Sequence, residues 1–137
     1  MNPKHLTTLE FPKVLARLAD YTAFSAGREL ALALTPATGL QEIRRRLETT
    51  SEARALLAAK PDTTIGGARD VRPLVMAAGR GIALPPTDLL NVRDTLSVAR
   101  TLHRNLSRLE NRFPRLAHLA GRIQPCPEII AEINGCL

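Results

Sequence analysis

Tryptophan is missing from these 137 residues, and aromatic side chains make up only 3% of them, three Phe and one Tyr. A β-sandwich core leans on aromatic and β-branched residues, so a core built from Leu, Ala, Val and Ile points to helix packing instead. Cysteine is nearly absent: Cys126 and Cys136 have neither CxxC spacing nor a His partner nearby. That argues against a disulfide framework or a zinc site, and both thiols are read as buried or incidental. No apolar run approaches the length needed to cross a bilayer, and Met1-Asn2-Pro3-Lys4-His5 lacks the apolar core of a signal peptide. A soluble, cytoplasmic protein without membrane partners is therefore expected. Acidic residues are also in deficit, 13 against 19 Lys and Arg, which leaves a net charge of +6 and a pI near 10.3. Such a balance suits a polyanionic partner without establishing one, since 16 of the 19 bases are Arg and coding bias gives the same excess.

What is present is a succession of short and long amphipathic segments. Phe11 to Asp20 reads as a helix with Val14, Leu15 and Leu18 on one face. Pro12 is tolerated there because it lies in the first turn. Ser25 is a plausible N-cap for Ala26 to Leu34, which Pro36 stops, and Thr38 for a long helix from about Gly39 to Ala59, which Pro61 stops. Residues 62–68 read as loop, and Val71 to Ala78 as a short helix closed by Gly79 and Gly81. After a brief extended stretch at Ile82-Ala83-Leu84, Pro86 opens a second long helix to about Leu109. Along it Leu89, Val92, Leu96, Ala99, His103 and Leu106 recur at steps of three and four, the spacing of a seam against another helix. Short helices follow from Pro114 to about Ile123 and from Pro127 to Asn134 or beyond. The expected fold is all-α, an irregular multi-helix bundle in which the two long helices lie side by side.

The stretch Gly66-Gly67-Ala68-Arg69-Asp70-Val71-Arg72-Pro73 joins a glycine turn to a helix start. Gly66 and Gly67 permit positive φ or close packing, Asp70 can cap a helix beginning at Val71, and Pro73 sits in its first turn. Further fragments keep a fixed order around it: Thr8-Leu9-Glu10-Phe11, Gly27-Arg28-Glu29-Leu30-Ala31, Leu34-Thr35-Pro36-Ala37-Thr38, and Gly81 to Leu89 with Leu84 and Pro86. Together these motifs resemble the N-terminal region of the bacterial MutS-like proteins of the second type, cytosolic MutS paralogues that carry a C-terminal Smr endonuclease domain. Two positions depart from the family pattern. Pro12 stands where a polar helix former is usual, and Pro85 where Ser or Thr caps a helix.

The resemblance implies that residues 1–137 form the first helical segment of a MutS-like core and that the chain is a piece of a longer protein. The unfinished apolar pattern from Glu128 to Leu137 fits that expectation. It further implies a homodimeric ATPase that acts on branched DNA, suppressing recombination, or on stalled, collided ribosomes through rRNA. Its ATP and Mg sites, like its nuclease domain, would fall outside this segment, so no cofactor, metal or catalytic residue is expected here. A free-standing helical adaptor that binds a protein partner through its seam helix is the alternative.

Residue by residue, the chain offers little chemistry. Gly66-Gly67 is followed by no Lys-Ser or Lys-Thr that would complete a phosphate loop. His5, His103 and His118 are scattered, and His103 falls on the inner stripe of its helix, where a hydrogen-bonded packing role is expected. Arg44-Arg45-Arg46 is flanked by Glu42, four residues before Arg46, and Glu48, four after Arg44, so paired surface charges are expected. Arg100, Arg104 and Arg108 differ. They are spaced by four, with no acid three or four residues from Arg100 or Arg108, within a segment from Arg93 to Arg122 that holds seven Arg against Asp94 and Glu110. They are the candidate nucleic-acid contacts, able to follow a phosphate backbone without reading sequence. Phe113 is the sole aromatic residue nearby, which disfavours stacking on single-stranded bases.

Overall fold

Proline opens five of the seven helices that the computed structural model contains among the residues it describes, 8–137. At the first or second helical position the missing N–H removes only a donor that has no intrahelical partner anyway. The helices are α1 (Phe11–Asp20), α2 (Ser25–Leu32), α3 (Leu40–Ala59), α4 (Arg72–Gly79), α5 (Pro86–Ser107), α6 (Pro114–Ala120) and α7 (Pro127–Cys136). No strand occurs among the described residues, so the fold is all-α. His5 and the segment Met1–His5 lie outside the described residues.

The chain divides into two compact units, one ending at Leu47 and one running from Glu48 to Leu137. In the first, α1 packs on α2 through small side chains: Ala19 and Ala31 are buried, and a Cβ added at Gly27 would lie 3.3 Å from the Thr22 Cβ. The Thr22 hydroxyl donates to the Ala19 carbonyl at 2.7 Å, closing the end of α1. Glu10, the N-cap of α1, holds φ at 53°, a left-handed conformation uncommon for a residue with a Cβ.

Several helix ends differ from those the sequence suggests. Ser25 is the first helical residue of α2, and the N-cap is the extended Phe24. The same helix stops at Leu32, two residues early, where the last turn tightens and the Leu34 N–H donates to the Ala31 carbonyl in an i→i+3 bond. Gly39, whose carbonyl accepts the Ile43 N–H, takes the N-cap position expected of Thr38. α4 begins at Arg72, with Val71 as N-cap. α5 ends at Ser107 and α6 at Ala120, two and three residues early, each giving way to i→i+3 turns such as Leu109 N–H to the Leu106 carbonyl and Ile123 N–H to the Ala120 carbonyl.

In the second unit Leu56, Leu106, Phe113 and Ala120 form the buried core, with Leu102, Leu109, Leu116 and Ile123 packed around it. α5 packs on the short helices α6 and α7, whose Ile130 and Ile133 are buried. Long helix α3 reaches this core through Leu56, so the short helices, and not α3, are the main packing partners of the seam. The reason is local: of Leu40, Ile43, Leu47 and Leu57, which the sequence spaces along one stripe of α3, Ile43 is half-buried and the other three are exposed, and Leu56 is the buried residue of the helix.

Candidate nucleic-acid interface

Two side chains distant in sequence hold the helices around α5 in place. Glu52 on α3 accepts the backbone N–H groups of Arg115 and Leu116 at 2.9 and 3.1 Å, supplying the cap that the first turn of α6 lacks from its own N-cap, Phe113. A carboxylate there also meets the positive end of the helix dipole. Glu48, one turn earlier, pairs with the Arg115 guanidinium. At the other end of α6, His103 Nδ1 lies 2.9 Å from the carbonyl of Ala120, its last helical residue. A carbonyl only accepts, so Nδ1 carries the proton and donates. His103 is thus the hydrogen-bonded packing residue its stripe position suggests.

With that inner face fixed, the opposite side of α5 presents Arg100, Arg104 and Arg108, all exposed. Arg108 is the C-cap, its N–H donating to the Arg104 carbonyl, so the row runs to the end of the helix. Among the described residues no carboxylate lies within ion-pair distance of any of the three. Steps of four residues span about 12 Å of helix over two turns. Phe113, by contrast, is 3% exposed, with the Arg112 guanidinium 5.2 Å above its ring, and has no face left for a base.

The Arg44-Arg45-Arg46 cluster in the first unit is arranged differently. Arg45 and Arg46 both bind Glu42, at 2.8 and 2.6 Å, and Arg46 also donates to the Thr35 carbonyl at 2.9 Å. The hydrogen bonds from Arg45 and then Arg46 hold the Glu42 carboxyl down to about 2, and the same contact raises the Arg45 pKa. The expected Arg44 to Glu48 pair is not formed, because Glu48 is engaged by Arg115.

The glycine turn is built as a support for α5. Gly67 has φ 89°, the left-handed region, while a Cβ added to Gly66 would come 3.1 Å from the Thr64 hydroxyl. Gly66 N–H donates to Thr64 Oγ1 at 2.9 Å, Ala68 N–H to the Ile65 carbonyl, and Arg69 N–H to Thr95 Oγ1 at 3.0 Å. With those donors turned inward, the loop does not resemble a phosphate cradle. Asp70 stands one residue ahead of the N-cap and accepts the Arg72 N–H at 3.2 Å as well as the Arg72 side chain at 2.6 Å. Pro73 is the second residue of α4, whose far end is a Schellman turn: Gly81 at φ 79° donates to the Ala78 carbonyl and Ile82 to the Ala77 carbonyl.

One feature had no signal in the sequence. Between the 62–66 loop and α5 lies a cleft of about 300 Å³, lined among others by Asp62, Thr64, Ser97, Thr101 and Asn105, with Val98 and Leu102 as its apolar part. The thiols are elsewhere: Cys126 is half-buried at the start of α7 and Cys136 exposed at its end. Among the described residues no group of His, Cys, Asp and Glu is placed to hold a metal, and no helix is long and apolar enough to cross a membrane.

No family model matches the chain. Over 137 residues, all of the chain, it is 36% identical to the endonuclease MutS2 of Pelotomaculum thermopropionicum. To the endonuclease MutS2 of Symbiobacterium thermophilum it is 41% identical over 98% of the chain, and to that of Thermomicrobium roseum 36% over 93%. Along its whole length the chain is similar to the N-terminal segment of MutS2 proteins. It spans only 18, 17 and 16% of the length of these three relatives. The stretch matched is the N-terminal, non-catalytic part of the MutS2 proteins.

Proposed function

We propose that this chain is the helical scaffold at the start of a MutS2-type protein of the cytoplasm, and that the outer face of α5 lies along a nucleic-acid backbone. The observation that carries the reading is the contrast across one helix. Its inner side is fixed by Leu106 in the core and by His103 on the Ala120 carbonyl, while its outer side carries three exposed arginines with no carboxylate in reach among the described residues. A rigid row of guanidinium groups suits phosphate oxygens and is indifferent to base sequence. The whole protein, in this reading, is a homodimeric ATPase and endonuclease that acts on branched DNA or on stalled, collided ribosomes. Both expose phosphate backbone, and ATP with Mg would be bound outside this segment.

Filter binding of the chain to a branched DNA and to an rRNA fragment, each at 50 and 200 mM salt, tests the proposal. Three phosphate contacts give a slope of log affinity against log salt of about −2.7, or about 40-fold between those concentrations. Absence of binding at the lower salt overturns the interface. Calorimetry with ATP tests the scaffold role separately, and micromolar affinity would defeat it. The adaptor reading puts a protein partner on the seam of α5, but Leu106 of that seam packs within the unit and α5 lies against α6 and α7. Val75 and Met76 on α4, 58 and 59% exposed, are a different surface for such a partner. The adaptor reading requires that nucleic acid is not bound, so the same filter assay separates the two.

A further inference from the structure

The cleft between the 62–66 loop and α5 adjoins the arginine row, and the register between them is regular. Ser97, Thr101 and Asn105 line the cleft at steps of four, and Arg100, Arg104 and Arg108 follow the same steps three residues later. Residues three apart are neighbours on a helix surface, so α5 carries two parallel ridges, one of hydrogen-bonding groups and one of cations. Across the cleft stands Asp62, whose carboxylate repels a phosphate and accepts from a hydroxyl or amino group. The chemistry is therefore divided: charge is bound on the ridge, and a neutral, hydrogen-bonding unit is bound in the cleft.

Its volume, about 300 Å³, is at the small end of ligand pockets and suits one nucleoside unit. No aromatic side chain lines it, so a base has nothing to stack on, and the hydroxyl, amide and carboxylate groups are matched to a sugar edge. Deoxyribose within a strand has no hydroxyl to offer, whereas the ribose 2′-hydroxyl both donates and accepts. The cleft walls are tied together, since the Thr95 hydroxyl accepts the Arg69 N–H from the far end of the loop.

We propose that this cleft is a ribose subsite, taking a 2′-hydroxyl of an RNA strand whose phosphates lie on Arg100, Arg104 and Arg108. The inference rests on the backbone-binding role of α5 proposed above and adds to it a choice between RNA and DNA. Asp62 and Asn105 bind the hydroxyl from opposite walls, and Thr101 supplies a further donor and acceptor. Thr101 and Asn105 are exposed, so substitution there leaves the core of the unit untouched.

Fluorescence anisotropy of the full chain with an RNA oligomer and the DNA of identical sequence, at 50 and 200 mM salt, is the test. RNA is expected to bind on the order of tenfold tighter, the value of one or two hydrogen bonds. Thr101→Val with Asn105→Ala should reduce RNA affinity to the DNA level while leaving DNA affinity and both salt slopes unchanged, and Thr101→Ser should keep the preference. Equal affinity for RNA and DNA, with the salt slope intact, overturns the ribose subsite and leaves the arginine row standing. A preference for RNA that survives the double substitution overturns it too. Failure to bind either polymer at low salt removes both proposals together.

Discussion

The two units of the chain each carry a triplet of arginines, and they use them in opposite ways. In the first, Arg44-Arg45-Arg46 are consecutive, so they fan around α3, and Glu42 on the preceding turn gathers two of them. In the second, Arg100, Arg104 and Arg108 share one side of α5 and meet no carboxylate among the described residues. The units differ in the same sense in their interiors. Among the described residues Ala19 and Ala31 are the buried apolar residues of the first, whereas Leu106 and Phe113 anchor the second. A basic row can stay unpaired and in register where the helix beneath it is held by a core. Where only small side chains are buried, the charges are satisfied locally.

The largest test of that contrast removes the anchor. Phe113 is 3% exposed and central to the core, so Phe113→Ala is expected to destabilise the second unit by about 3–5 kcal/mol, including the cavity left behind. Chemical denaturation checks this. A cost below about 1 kcal/mol would mean that the core is not what orders α5.

Next in size is the exchange of charge. Replacing Arg100, Arg104 and Arg108 with Gln should flatten the salt dependence of nucleic-acid binding by about 2.7 in slope and weaken all sequences alike. The same replacement at Arg44, Arg45 and Arg46 should change it by less than about one phosphate contact. If the first cluster proves dominant in filter binding, the pairing with Glu42 does not suppress it and the distinction between the units fails.

A smaller effect lies in the support beneath the row. Gly67 is at φ 89°, where a β-branched residue is strained although the nearest side-chain atom, Val98 Cγ2, is 3.7 Å from an added Cβ. Gly67→Val is expected to cost about 1–3 kcal/mol from the backbone alone. Gly66→Ala, whose Cβ needs only a shift of the Thr64 side chain, should cost less by thermal melting. Equal melting temperatures would show that the turn relaxes and does not brace α5.

Much of this was legible in the sequence. Proline positions and heptad-like spacing locate every helix, because a missing N–H and an apolar stripe act locally. His103 was legible for the same reason, as its place on the inner stripe leaves a polar group that needs a partner. Helix ends were harder, since the turns after Leu32 and after Ala120 are set by i→i+3 bonds. Least legible were the long-range contacts. Spacing suggests Arg44 for Glu48, but folding brings Arg115 to it, and Glu52 becomes the cap of a helix more than 60 residues away. The cleft is invisible for that reason also: its walls meet only after the loop is tied to Thr95.

The smallest effect concerns Glu42, and it checks whether the first unit satisfies its own charge. Hydrogen bonds from Arg45 and Arg46 lower its carboxyl from 4.5 to about 2. A carboxyl with a depressed folded value binds its proton less readily than in the unfolded chain, so its contribution to stability is complete above pH 4.5 and is lost as pH falls through about 2. The group is in contact with solvent, so salt should weaken the contribution further. A carboxyl titration followed by NMR is expected to place Glu42 near 2 in the parent chain and to return it towards 4.5 when Arg45 and Arg46 are changed to Gln. The Arg100, Arg104 and Arg108 triple variant should leave that titration unmoved. Were Glu42 to titrate near 4.5 in the parent chain, Arg45 and Arg46 would be as available to phosphate as the row on α5, and the difference between the two triplets would reduce to their spacing.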